Sequence, residues 1–278
     1  MFYKNDMKKL FLYFKFILIV VITILIFGII FILNPIIVDK SNEITLIANE
    51  KFTVKEIKQG LLSVEYKLDN YGVVLITNEL NNGHEYKYIM RKGIDTIALT
   101  NGAGTYNIVV HEAVKNSDGS ADIIDTYDNI KVNLTENNKD IVFTYSTTLI
   151  DFENNKDIIN KEFKDINNID EIYEYFKDMS YNHSLADDIA SGNITEYKVD
   201  ISKTLNTKQG ICFDLATSMT AVLRSKGYKA KMVYGYAGDT YHSWVSVLID
   251  DNWVDFDPTI GRTSYENSMS NYIIDEYH

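Results

Sequence analysis

The 278-residue chain is long enough for an apolar anchor and one or two domains with hydrophobic cores. Its 46% hydrophobic and 24% charged residues are typical of globular protein and exclude wholesale disorder. The formal net charge of −12 argues against a nucleic-acid partner, because phosphate binding needs a clustered positive surface. The single cysteine, Cys212, excludes an intrachain disulfide and any zinc site built on a cysteine pair.

Residues 16–38 form an apolar stretch without a charged side chain. A helix needs about 20 such residues to span a bilayer, whereas the apolar part of a signal peptide runs to only about 7–15. Residues 1–15 carry four lysines against one aspartate, which places them in the cytoplasm. We therefore expect a cytoplasmic basic tail (1–15), a transmembrane signal-anchor helix (16–38) and a single-pass protein of the cell membrane, with the remaining domains extracytoplasmic. The richness in Asn, Ile, Lys and Tyr suggests a bacterial source.

Residues 41–148 have the alternating pattern of a β-rich module. Turn signals that contain Gly or Asn separate short runs of β-branched and aromatic residues. The best candidate strands are 44–47, 60–66, 73–77, 86–90, 105–111 and 141–145. Six or more short strands in about 100 residues indicate an antiparallel sandwich, used as a spacer or binding domain. His84 and His111 stand alone in this pattern, so we expect them to be surface polar groups.

After Thr148 the apolar spacing becomes helical. Apolar residues three and four apart from 158 to 179 predict helices, and Asn168 followed by Glu171 resembles a capping box that begins a second one. The polar sequence 187–207 predicts a loop. Residues 208–227 predict a helix with one apolar face and a glycine after its last turn.

Cys212 falls in the first turn of that last helix. A lone cysteine is more often a small buried hydrophobe, but the positive end of the helix dipole favours a thiolate here. A strand, a polar turn and a second strand follow, and the second strand begins with His242. A third strand carries Asp255 and Asp257. Nucleophilic catalysis needs a thiolate, an imidazole and a carboxylate in this relation.

Three separated motifs carry a family resemblance. They are Gly210-Ile-Cys-Phe-Asp-Leu-Ala216, His242-Ser-Trp244 and Trp253-Val-Asp-Phe-Asp-Pro-Thr259, with Gly235-Tyr236 between the first two. In order and spacing they resemble the transglutaminase-like superfamily. The resemblance implies that residues 150–278 form a transglutaminase-like (papain-like) domain. It also implies Cys212 as nucleophile, His242 as base and acid, and Asp257 as the orienting carboxylate, with Asp255 in reserve.

The resemblance has further implications for the rim of the site. It implies that the Cys212 backbone N–H donates one of the hydrogen bonds that stabilise the oxyanion. Gln209 and Tyr181 remain candidates for the second donor. Phe213 stands where the family more often has a polar residue, which predicts an altered rim. Nothing resembles the calcium sites of the animal enzymes, and we expect no metal and no cofactor.

Taken together, these patterns predict an α+β protein: a transmembrane helix, an antiparallel β-sandwich-like module and a transglutaminase-like domain. Thiolate attack on peptide or glutamine amides would form an acyl-enzyme, which water resolves as proteolysis or deamidation and an amine resolves as crosslinking. The expected partners are extracellular or cell-wall proteins and peptides, with membrane contact through the anchor. The alternatives are a non-catalytic binding or assembly module of the same fold at the cell surface, and a passive surface adhesin carried by the β-rich module.

Overall fold

The structure is a computed structural model that describes residues 43–80, 85–116, 121–260 and 269–278. The expected basic tail and signal-anchor helix, and His84, lie outside the described residues. Within those ranges, no helix is both long enough and apolar enough to cross a membrane. Residues Ile44–His278 form one compact unit.

Eight strands form the first half of this unit, as the alternating pattern predicts. They are β1 (Ile44–Ala48), β2 (Phe52–Lys58), β3 (Leu61–Tyr66), β4 (Tyr71–Asn78), β5 (Glu85–Met90), β6 (Gly93–Ala98), β7 (Gly104–Lys115) and β8 (Ala121–Leu134). Antiparallel pairing orders them into two four-stranded sheets, β1-β2-β3-β6 and β5-β4-β7-β8. Apolar side chains from both sheets, such as Val64 and Ile76, fill one shared core.

Two predictions for this half are wrong. The run 141–145 is not a strand, because Ile141–Thr144 forms a 3₁₀ helix that buries Val142 and Phe143 in the core. Periodicity alone does not separate a strand from a helical turn in so short an apolar run. His111 is not a surface group, since it lies on β7, one of the two inner strands of its sheet, with 7% of its surface exposed. Its Nδ1 lies 2.9 Å from the Thr126 hydroxyl.

Five α-helices follow. They are α1 (Lys156–Glu162), α2 (Ile169–Lys177), α3 (His183–Ala190), α4 (Ile201–Thr207) and α5 (Cys212–Ser225). Asn168 caps α2 as predicted, because its side chain accepts a hydrogen bond from the Glu171 backbone N–H at 2.8 Å. The predicted loop 187–207 is wrong, since it contains the end of α3 and all of α4. Asn182 and Asp200 cap these helices and are the start signals that were missed.

A second set of strands completes the unit. They are β9 (Ser180–Tyr181), β10 (Gln209–Gly210), β11 (Ala230–Ala237), β12 (Thr240–Ile249), β13 (Asn252–Phe256) and β14 (Tyr272–Tyr277). The last four form an antiparallel sheet in the order β13-β12-β11-β14, while β9 and β10 pair in parallel. Helix α5 contributes Met219 and Val222, and the sheet contributes Met232 and Val245, to a second hydrophobic core.

Two cationic side chains connect the halves of the unit. The buried Arg224 guanidinium donates hydrogen bonds to the backbone carbonyls of Ala230 (2.8 Å), Tyr145 (2.9 Å) and His278 (2.8 Å). The Lys231 ammonium lies over three aromatic rings, those of Phe143 (4.7 Å), Trp253 (3.7 Å) and Tyr277 (4.3 Å). These contacts fix the first half against the helix and sheet that carry the predicted site.

Candidate active site

Cys212 is the first residue of α5, as predicted, and it is partly exposed. The helix begins here because Asp214 accepts a hydrogen bond from the Ile211 backbone N–H at 3.0 Å. The other oxygen of Asp214 accepts from the Tyr197 hydroxyl at 2.8 Å. Burial raises the pKa of Asp214 above its ordinary value, although both hydrogen bonds oppose that rise. The thiol therefore stands at a helix start that a buried carboxyl group holds in place.

The segment before the thiol requires a glycine. A Cβ at Gly210 would lie 2.6 Å from the Cβ of Asp214, too close for any other residue without movement. Gly210 pairs with Tyr181, and Gln209 pairs with Ser180, in the parallel strands β9 and β10. The two candidate oxyanion donors, Gln209 and Tyr181, thus lie on the paired segments beside Cys212.

His242 lies on β12 with 4% of its surface exposed, and it faces Gly235 on β11. Its ring stacks on Trp244, with 6.2 Å between the ring centroids. Nε2 lies 3.0 Å from an Asp257 carboxylate oxygen, which leaves Nδ1 as the nitrogen available to the sulfur of Cys212. Burial disfavours the imidazolium, but the hydrogen bonds of His242 with Asp257 and Cys212 outweigh burial and raise its pKa to about 10.

Asp257 is fully buried just beyond the end of β13. One carboxylate oxygen contacts His242 and accepts from the Tyr272 hydroxyl. The other oxygen accepts from the backbone N–H and the hydroxyl of Thr259, both at 2.8 Å. Burial acts to raise the pKa of Asp257, but these hydrogen bonds and the His242 charge hold that pKa below its ordinary value. The reserve candidate, Asp255, is exposed on β13.

Two residues around Asp257 were not assigned a role from sequence. Thr259 lies inside the third motif, two residues after Asp257, and this short spacing was the available signal. Tyr272 begins β14, a strand that the sequence pattern did not predict, and its ring packs against Trp244 at 4.9 Å and His242 at 5.8 Å between centroids. A tyrosine so far along the chain carries no local signal that would connect it to this carboxylate.

The structure therefore brings Cys212, His242 and Asp257 together from a helix start, a strand and a strand end. With a pKa of about 10, His242 carries a proton at neutral pH and is a cation beside the sulfur. Such a pair can supply a thiolate nucleophile and a proton for a leaving group. The carboxylate of Asp257 stabilises the imidazolium and fixes its orientation.

The sequence comparison bears on this part of the chain. Residues 154–258 match the sequence model of the transglutaminase-like superfamily, and this range includes all three residues. The chain therefore carries a transglutaminase-like domain. Tyr272 and Thr259 lie beyond the matched range.

Individual relatives are distant or cover short segments. The uncharacterized protein YebA of Bacillus subtilis (strain 168) is 34% identical over 77 residues, which are 21% of this chain and 10% of YebA. A proposed cysteine protease from Cytophaga hutchinsonii has 14% identity and a TM-score of 0.42 over 78% of this chain and 80% of that one. The periplasmic domain of TgpA from Pseudomonas aeruginosa, bound to ethylmercury, has 12% identity and a TM-score of 0.32 over 69% and 84%. The family assignment rests on the matched range 154–258.

Proposed function

We propose that this protein is an extracytoplasmic thiol enzyme that attacks peptide or glutamine amides through Cys212, His242 and Asp257 and forms an acyl-enzyme. The observation that supports it most is the buried pair of His242 and Asp257, 3.0 Å apart, beside a thiol at a helix start. The long apolar stretch 16–38 of the sequence supports the extracytoplasmic, membrane-anchored location.

In the proposed mechanism the Cys212 sulfur attacks the amide carbonyl carbon, and a C–S bond forms as the carbonyl oxygen gains negative charge. The Cys212 backbone N–H donates a hydrogen bond to that oxygen and stabilises its charge. The His242 imidazolium then gives its proton to the departing nitrogen as the C–N bond breaks, which leaves a thioester. Neutral His242 takes a proton from water or from an amine as that molecule attacks the thioester, and the C–S bond breaks, which releases the acyl group and restores the thiolate and the imidazolium.

The alternative, a non-catalytic module, does not explain why Asp257 and His242 are buried together. Burying a carboxylate and an imidazolium costs free energy that their mutual attraction only partly offsets. Asp257 nevertheless has no exposed surface and collects hydrogen bonds from three residues. A binding module would be at least as stable with apolar residues at these positions, so the arrangement favours catalysis.

Incubation of the full-length protein with casein and a fluorescent primary amine tests the proposal. Amine incorporation indicates crosslinking activity, new fragments indicate proteolysis, and release of ammonia without either indicates deamidation. Cys212→Ala is the negative control, and Asp255→Asn is a matched carboxylate variant that should keep activity. If wild-type protein and Cys212→Ala behave alike in every readout, and iodoacetamide labels Cys212 no faster than a small thiol, the proposed function is wrong.

A further inference from the structure

Residues of both halves of the unit line a cavity of about 610 Å³. Phe213, the residue after Cys212, lines it together with Tyr234 and Tyr241 of the second half and Tyr88 and Thr96 of the first half. Its volume lies within the range of about 300–1,000 Å³ that ligand sites usually have. The two halves of the unit therefore share the walls of a cavity of binding-site size.

A chain of aromatic rings runs through this cavity to the surface at Tyr241 on β12. Ring centroids lie 6.4 Å apart for Tyr197 and Phe213, 5.5 Å for Phe213 and Tyr234, and 6.0 Å for Tyr234 and Tyr241, whose rings are nearly parallel. Tyr241 immediately precedes His242 and is 51% exposed. Burial raises the pKa of Tyr234, and the charge of Glu276 adds to that rise.

The charged groups of the cavity balance one another. Two lysines, Lys87 and Lys198, and two acidic residues, Asp95 and Glu276, line it. Burial raises the pKa of Asp95, while a hydrogen bond from Thr148 and the charge of Lys198 oppose that rise. The carboxylate of Glu276 lies 3.2 Å from the His278 ring. An ammonium or carboxylate group would have to compete with these existing partners, whereas a neutral group would not.

We propose that this cavity receives an aromatic side chain of the peptide substrate, next to the amide that Cys212 attacks. The inference rests on the proposed function for its reaction, but the binding preference is a separate property of the cavity. An aromatic side chain fits because rings stacked on or edge-to-face with Phe213, Tyr234 and Tyr241 gain contact that an aliphatic chain of equal area lacks. Tyr88 and Thr96 then make the β-rich half part of the substrate site rather than a spacer.

Binding is measured with full-length Cys212→Ala protein, which lacks the nucleophile and so separates recognition from reaction. The ligands are short blocked peptides that contain one glutamine, with Phe, Leu, Lys, Glu or Ala on either side of it. Their binding is measured by ligand-detected NMR or by calorimetry. We expect the Phe peptide to bind at least about tenfold more tightly than the Ala peptide, with the Lys and Glu peptides no tighter than Ala.

Two substitutions of cavity-lining residues and one control substitution test whether the preference for the Phe peptide arises in the cavity. Tyr241→Ala and Tyr88→Ala, each added to Cys212→Ala, should reduce the Phe-to-Ala ratio to within about threefold. Tyr236→Ala should leave the ratio intact, because Tyr236 is the exposed cross-strand neighbour of Tyr241 and does not line the cavity. Tyr241 is half-exposed, so its variant should fold even if Tyr88→Ala does not.

Several outcomes would overturn the inference. Equal binding of the Phe and Ala peptides, tightest binding of the Lys or Glu peptide, no binding of any peptide at millimolar concentrations, or a full preference retained in Tyr241→Ala would each do so. Aromatic selectivity without any Cys212-dependent chemistry in the wild-type protein would instead refute the proposed function and leave the binding site standing.

Discussion

Tyr272 donates its hydroxyl to the buried carboxylate of Asp257, and Tyr272→Phe removes that hydroxyl alone. The ring can keep its packing against Trp244 and His242, so the substitution tests one hydrogen bond rather than the shape of the site. The same carboxylate oxygen contacts His242, which links the lost bond directly to the orientation of the imidazolium.

The structure sets the size of the expected effect. A hydrogen bond to a charged group contributes about 1.5–3 kcal/mol. Asp257 keeps its contact with His242 and two hydrogen bonds from Thr259 after the substitution, so we expect the lower end, about 1.5 kcal/mol. If this loss is felt in the transition state, kcat falls about tenfold. The free energy of unfolding at neutral pH should fall by a similar amount.

The assay is turnover of the amide substrate found with casein, accompanied by thermal unfolding of each variant. We expect kcat to fall while KM changes little, because the Tyr272 hydroxyl acts on the Asp257 carboxylate. Tyr236→Phe makes the same chemical change on the neighbouring strand, where the side chain is 43% exposed, and should leave both measurements unchanged.

Acid sensitivity gives a second readout. Hydrogen bonding lowers the pKa of Asp257, so its contribution to stability is present above the ordinary carboxyl pKa and is lost as pH falls through the lower folded value. Without the Tyr272 hydroxyl that folded pKa rises, and the loss begins at a higher pH. A Tyr272→Phe protein with unchanged kcat and an unchanged acid midpoint would refute the role assigned to this hydroxyl.

Further predictions concern the imidazolium, the helix start and the connection between the halves. His242→Gln should lower kcat by about 10²–10⁴-fold in the same turnover assay. Because the pKa of His242 is raised to about 10, its contribution to stability is full below about pH 6.5 and is lost towards pH 10; denaturant titrations should show this loss in wild type and not in His242→Gln. Asp214→Ala leaves the Ile211 N–H without its acceptor and should cost about 1–3 kcal/mol by thermal unfolding, whereas Tyr197→Phe should cost less. Arg224→Met leaves three carbonyl groups without their donor and should cost at least about 3 kcal/mol, and an unchanged melting temperature would contradict this.

The helices and strands around the site could be predicted from the sequence where the pattern that indicates them lies within a short segment. The apolar face of α5, the cap at Asn168 and the alternation in β12 each depend on residues within a few positions of one another. The caps Asn182 and Asp200 are equally local, but they lie in polar, glycine-containing sequence whose helices are only eight and seven residues long. Helices so short contain too few turns for an apolar period to stand out.

The residues that support Asp257 could not be predicted in the same way. Tyr272 and Thr259 act through tertiary contacts, and nothing in the neighbourhood of Tyr272 distinguishes it from the other nineteen tyrosines of the chain. The cavity is likewise formed by residues from both halves, from Tyr88 to Tyr241. Phe213 was the one sequence signal: an aromatic residue next to Cys212 was expected to alter the rim of the site, and its side chain lines the cavity.

The glycine of the Gly235-Tyr236 pair has a physical role in the site. It lies opposite His242 on β11, and a Cβ there would be 2.1 Å from the Ile273 carbonyl oxygen and 2.6 Å from the Trp244 ring. Because Gly235 has no Cβ, β14 can pair closely with β11, and Trp244 can extend across the strand to meet Tyr272. Tyr272 in turn reaches Asp257. The hydrogen bonding of the Asp257 carboxylate therefore depends on the absence of a side chain at position 235 of β11. Any residue larger than glycine there would displace Trp244 and Tyr272, and so would disturb Asp257 without contacting it.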